Sequence, residues 1–156
     1  MKPGAAEQAF AALTSGCLVV CDVEMLKVAV RRNLEKLGLE CACAVSVPGA
    51  AAEAAKRGIT RAAAGMELLA PRLESSLAVI GNAPTALFKV LELSSAGRAR
   101  PAAVLGIPVG FVGAAEAKQA LLESDLPAIT LPGTRGGSAA AAAALNALAL
   151  AALHSR

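Results

Sequence analysis

At 156 residues the chain has the length of one domain, since most domains run about 100–200 residues, and the expectation is a single domain over 1–156. It is 56% hydrophobic with no Trp, no Tyr and three Phe, so Ala, Val and Leu must fill the interior, which favours close helices and a sheet covered on both faces. The net charge of +3 comes from fifteen scattered Lys and Arg, without the concentrated charge and stacking aromatics of a nucleic-acid protein, and suits a small anionic ligand.

The mean hydropathy of +0.58 raises the question of a membrane. The longest apolar tail, Ala139–Leu153, is mostly Ala, is interrupted by Asn146, and falls short of the roughly 18–20 residues a span needs. The N-terminus has no basic-then-apolar signal layout. A soluble, cytoplasmic protein with no membrane partner is expected.

In chain order, Met1–Ser15 carries Ala6, Ala9, Phe10 and Leu13 at helical spacing. Cys17–Cys21, read as CLVVC, is a continuous apolar run of the kind buried on both faces of a parallel sheet. Asp22 follows as a candidate N-cap for a helix whose stripe is Met25, Leu26, Ala29 and Val30, and Gly38 is its natural C-cap. Cys41–Val47 reads as a second strand ending at Pro48-Gly49. Ala50–Arg57 reads as a helix closed by Gly58, and Thr60 caps another that ends before Pro71.

Leu77–Ile80 is the third strand and Ala83–Leu93 the helix after it. Ala102–Ile107 is the fourth, followed by the turn around Pro108 and Gly110 and a helix over Ala114–Leu122. Ala128–Leu131 is the fifth, and the chain closes in a long Ala/Leu helix, to which Ala's helix propensity contributes directly. Strands alternate with helices throughout. The fold class is therefore α/β, a mainly parallel, about five-stranded sheet with helices on both faces.

The four cysteines are Cys17, Cys21, Cys41 and Cys43. Their spacings of four and two place each pair on one face of a strand, and they lack the gaps and histidines of a zinc site. Reduced core cysteines are expected, and no metal.

Ligands of open α/β sheets bind outside the carboxyl ends of the strands. Those ends are Asp22–Met25, Pro48-Gly49, Gly81–Thr85, Gly106–Gly113 and Gly133–Ser138, and four of them begin a helix whose first N–H groups can hold an anion. Arg61, at one helix start, and Arg135, in the last loop, can add full charge, bidentately for carboxylates. GIPVGFVG (Gly106–Gly113) follows a strand as a dinucleotide fingerprint does, but it lies on the fourth strand, Pro108 interrupts it, and no ribose-binding acid stands about twenty residues on. Glycines serving a tight turn and close packing are the simpler account. Ser138 lacks a His or a G-x-S-x-G setting for a nucleophile.

IGNAPTALF (Ile80–Phe88), GIPVGFVGAAEAK (Gly106–Lys118) and GTRGGSAAAAAALNAL (Gly133–Leu148), with CDVEM (Cys21–Met25) and GITRAAAGMELL (Gly58–Leu69), resemble the precorrin-8X methylmutase (precorrin isomerase) family of cobalamin biosynthesis. The resemblance runs from about Pro3 to Leu150. It implies a Rossmann-like subunit working as a homodimer with active sites between subunits. It further implies an isomerase that needs no cofactor and moves a methyl group from ring carbon 11 to ring carbon 12 of a corrinoid by a 1,5-sigmatropic shift. The product is hydrogenobyrinic acid or its cobalt form. The substrate, precorrin-8X or cobalt-precorrin-8, is anionic through its many carboxylates.

By the same resemblance Arg61, beside Thr60, matches a substrate-binding arginine. Asn82, Thr85, Gly110, Gly113, Arg135, Gly136, Gly137 and Ser138 match segments that line the cavity. The family's catalytic His, a general acid, lies ahead of the first helix seen here, so the resemblance implies a shortened start at Met1 and leaves the catalytic residue unassigned; His154 does not match it. A non-catalytic corrinoid-binding homologue is the alternative. A further departure is Ala29-Val30-Arg31, where the family has Gly, a branched residue and Thr, so that Arg31 would replace a hydroxyl contact with a charge.

Overall fold

A computed structural model describes residues 1–155 of the chain. Five short strands, β1 (Val19–Cys21), β2 (Cys41–Cys43), β3 (Leu77–Ile80), β4 (Ala103–Gly106) and β5 (Ala128–Thr130), form one sheet in the order β2-β1-β3-β4-β5. Every pairing is parallel. All residues of β1, β3 and β4 are buried, as unbroken apolar runs require when helices cover both faces.

One face carries α1 (Ala5–Thr14), α2 (Glu24–Leu37) and α8 (Ser138–His154), whose Leu13, Leu26, Leu34 and Leu145 meet Val19, Cys21, Val79 and Leu105 of the sheet. The other carries α4 (Arg61–Leu68), α5 (Ala70–Leu73), α6 (Pro84–Ser95) and α7 (Ala114–Glu123), packed on Val20, Ala78, Ile80 and Val104. The remaining helix, α3 (Ala50–Arg57), leads into α4. Small residues let these layers approach closely. A Cβ at Gly65 of α4 would run into the Ala44 carbonyl, and one at Gly106 would lie 2.5 Å from a Leu121 methyl.

Where the turns were read from glycine, they stand: Gly38 and Gly58 adopt the left-handed conformation just past α2 and α3, which costs glycine nothing. Two local readings are corrected and one short helix is added. The second strand ends at Cys43, and Ala44–Ser46 is a single 3-10 turn. The helix capped by Thr60 ends before Pro71 as expected, and Pro71 itself sits in the first turn of the short α5 that follows, where its missing N–H is no loss. Asp22 does not cap α2, whose N-cap is Val23.

All four thiols are free, with Cys21 and Cys43 buried and Cys17 and Cys41 half-buried. The Cys21 and Cys41 sulfurs lie 3.6 Å apart on neighbouring strands. The Cys41 thiol is held below its usual range by its hydrogen bond with Cys21. Burial, followed by the carboxylate of Glu24, pushes Cys43 up to about 11. Asn146, which interrupts the apolar tail, accepts from Asn33 at 2.9 Å and donates to the Ala29 carbonyl, tying α8 to α2. Among the described residues no helix is long and apolar enough to cross a membrane.

Candidate active site at the carboxyl end of the sheet

The strand order reverses at β1, since β2 lies on one side of it and β3 on the other. That is the switch point where open α/β sheets leave a crevice for ligand. Asp22 stands at its base. It is fully buried, and its carboxylate reaches across to the β3–α6 turn, accepting from the N–H of Gly81 at 3.1 Å and from those of Asn82 and Ala83 at 2.7 Å each. The N-cap of α6, Ala83, has no side-chain cap of its own; Asp22 supplies it from another strand.

The turn so held presents Asn82 and Thr85 outward, both exposed. The Thr85 hydroxyl shares a 2.6 Å hydrogen bond with that of Thr60. Thr60 is also the N-cap of α4, accepting from the Ala63 N–H, as the sequence indicated. Two helix starts are thereby joined, and Arg61 follows Thr60 directly, exposed and without an ion-pair partner among the described residues.

Glycines bring the remaining loops together. A Cβ on Gly81 would lie 2.7 Å from the Ser138 Cα, so the start of α8 rests directly on the β3 turn. A Cβ on Gly136 would collide with the carbonyls of Ile107 and Pro108, and the Gly137 N–H donates to the Ile107 carbonyl at 2.8 Å. Gly110 donates to the Thr134 carbonyl at 3.2 Å, and Gly113 faces Pro84 and Phe88. Thus Thr60, Asn82, Thr85, Gly110, Gly113 and Gly136–Ser138 stand on one connected set of loops. The Ser138 hydroxyl is buried there with no hydrogen-bond partner among the described residues.

Two contributors escaped sequence reasoning. Lys118 is fully buried on α7, and its ammonium donates to the Arg135 carbonyl at 2.6 Å, pinning the β5–α8 loop. Burial pulls its pKa below the usual lysine value. The signal was present: Lys118 shares the buried stripe of α7 with Ala114, Ala117 and Leu121, where a lysine has no reason to be unless its charge is used. The other is Asp22 in its actual role, for which a single acid after a buried strand is too common a pattern.

Above these groups lies an apolar rim. Phe111 and Val112 are 94% and 90% exposed, and Val109, Phe88 and Leu131 about half so. Side chains of this kind in contiguous loops mark a surface that something covers. Arg31 is elsewhere: it lies two turns along α2, paired with Glu35 at 3.5 Å. His154 is exposed at the end of α8, bonded to the Leu150 carbonyl.

Comparison with known proteins decides the family. The precorrin-8X methylmutase profile matches residues 1–151. This chain belongs to the precorrin-8X methylmutase family. A precorrin-8X methylmutase from Sinorhizobium sp is 47% identical over 150 residues, covering 95% of this chain and 71% of that protein. A cobalt-precorrin-8 methylmutase from Salmonella typhimurium is 42% identical over 146 residues, covering 92% and 68%. The crystal structure of precorrin-8X methylmutase from Thermus thermophilus superimposes with a TM-score of 0.89 at 35% identity, covering 99% of this chain and 76% of that one. The family fold is therefore the fold described here, and the loops at the carboxyl end are this member's version of the family's.

Proposed function

We propose that the chain is a precorrin-8X methylmutase of cobalamin biosynthesis, an isomerase that transfers a methyl group within a corrinoid from ring carbon 11 to ring carbon 12. The observation that carries this reading is the family match across residues 1–151, which includes every loop at the carboxyl end of the sheet. Within the reaction one carbon–methyl bond breaks and another forms on the same molecule, so no atoms or electrons are exchanged with the surroundings. What the protein must supply is a bound, oriented macrocycle and a field suited to the shifting charge.

The geometry suits such a ligand. A corrinoid is a broad apolar ring fringed with carboxylates. Phe111 and Val112, unsupported by any packing of their own, offer an apolar shelf for the ring face. Arg61 at the start of α4 and Arg135 ahead of α8 offer charge to the fringe, each beside a helix start that favours anions. Thr60, Asn82 and Thr85 contribute hydroxyl and amide groups, Gly110, Gly113, Gly136 and Gly137 let backbone approach the ligand closely, and Ser138, buried behind them, seats the start of α8. Charge-assisted hydrogen bonds of this kind are each worth about 1.5–3 kcal/mol. His154, exposed and bonded to the Leu150 carbonyl, stands at the opposite end of α8 from Ser138.

The same reading makes the single 1–156 domain one subunit of a cytoplasmic homodimer, in which the apolar rim is shared between ligand and partner. Incubating the purified protein with precorrin-8X and following absorbance tests it. Conversion to hydrogenobyrinic acid is expected; a bound but unchanged spectrum would favour the non-catalytic homologue, and no spectral change with no binding would overturn both. Repeating the assay with cobalt-precorrin-8 tells which form of the substrate is used.

A further inference from the structure

The α6 N-terminus stands beside the switch point of the sheet, where a sheet of this topology would ordinarily receive an anionic group of its ligand. Here the place is taken. Both Asp22 oxygens are committed to the Gly81, Asn82 and Ala83 N–H groups, and the residue has no exposed surface. Its backbone is fixed as firmly: the Asp22 N–H donates to the Val79 carbonyl and its own carbonyl accepts from Val45. No lysine or arginine is paired with it among the described ion pairs, so its charge is balanced by backbone donors and helix dipole alone.

We propose that Asp22 is a positioning and specificity-determining residue. It seats the turn that carries Asn82 and Thr85, and through Thr85 the hydroxyl of Thr60. By filling the α6 N-terminus with the chain's own carboxylate it also excludes external anions from that helix start. Carboxylates of the substrate are then directed outward, to Arg61 on one side and to the Arg135–Ser138 loop on the other. A phosphate-bearing nucleotide is refused for the same reason. The assignment of substrate carboxylates rests on the methylmutase reading; the exclusion of anions does not.

The test uses the whole protein labelled for backbone amide spectroscopy. In the native protein the Gly81, Asn82 and Ala83 resonances should stay fixed when inorganic phosphate is added at millimolar concentration. In Asp22→Ser, which is too short to reach the turn, the same three resonances should move and saturate. Movement in the native protein, or none in a folded Asp22→Ser, overturns the exclusion. Should Asp22→Ser fail to fold, Asp22→Asn keeps the size but turns an amide toward donors; hydrogen exchange at Asn82 and Ala83 should accelerate at least about ten-fold, and unchanged exchange overturns the positioning role. Misplaced binding groups cost about 10²-fold. In Asp22→Asn that loss is expected in kcat/KM, with a raised KM per active molecule; a merely structural lesion would lower the active fraction and leave KM alone. Failure of the native protein to bind or convert precorrin-8X would defeat the functional reading, while the phosphate and exchange results would still judge Asp22.

Discussion

Two loops wall the crevice, and they are held by opposite charges. The β3–α6 turn offers its N–H groups inward and is gripped by a buried carboxylate; the β5–α8 loop offers a carbonyl inward and is gripped by a buried ammonium. The grips are unequal. Asp22 has three donors for two oxygens, whereas Lys118 donates to one carbonyl among the described residues. A buried charge with a full set of partners stabilises its surroundings, and one with few partners carries a desolvation cost that its contact only partly offsets. The first loop is thus part of the fold's stability, and the second is held in place at some expense to it.

Removing each grip should expose that inequality. Asp22→Ala leaves three N–H groups without their acceptor, at about 1–3 kcal/mol for each that stays buried. A loss of about 3 kcal/mol is expected, lowering Tm by roughly 6–12 °C for a chain of this size, as read by calorimetry. Gly136→Ala follows, because its Cβ would press on the Ile107 and Pro108 carbonyls; overpacking of that kind costs about 1–3 kcal/mol, and chemical denaturation would show it.

Lys118→Met should behave differently from both. It keeps all but the last atom of the side chain's length and removes the charge, so Tm should hold or rise while affinity for the corrinoid product falls about ten-fold, or 1.4 kcal/mol, by titration. A pH series sharpens the point. The folded Lys118 pKa lies below its ordinary value of 10.5, so between the two values the unfolded chain binds more protons. Native stability should gain from Lys118 as pH rises toward 10.5, and that gain should be missing from Lys118→Met. The smallest effect is expected for Thr85→Val, which breaks the bond to Thr60 at about 0.5–1.5 kcal/mol and should change stability by no more than that.

Much of the architecture could be read before any coordinates. Leu77–Ile80 is a strand to the residue because an unbroken apolar run of four between polar turns fits little else. Thr60 caps α4 because its hydroxyl and the following apolar spacing are local facts. Pro71 marks the end of α4 as read, but proline also begins a helix by the same lack of an N–H, and the short α5 that opens around it was not expected. Cys41–Val47 was too long a strand, since the 3-10 turn over Ala44–Ser46 arises where Gly65 of α4 presses against Ala44, a contact distant in sequence.

The placement of the candidate site residues in the fold was legible to the same degree. A parallel alternation places Asn82, Thr85, Arg135 and Ser138 at one end of the sheet without any knowledge of side chains. It could not show that the Gly81–Ala83 donors, free on paper, are already taken by Asp22. Nor could it show that Lys118 turns inward to a carbonyl seventeen residues away. Both facts depend on which strands become neighbours.

Asp22 also bears on the order of folding. Its three hydrogen bonds close chain segments of 59, 60 and 61 residues, and loop-closure entropy must be met before such contacts give anything back. Until β1 and β3 pair, the carboxylate is hydrated and the turn above it has no fixed shape. The binding crevice therefore comes into being together with the central strand pair, in one cooperative step, and the appearance of ligand affinity during refolding should keep time with the assembly of the sheet.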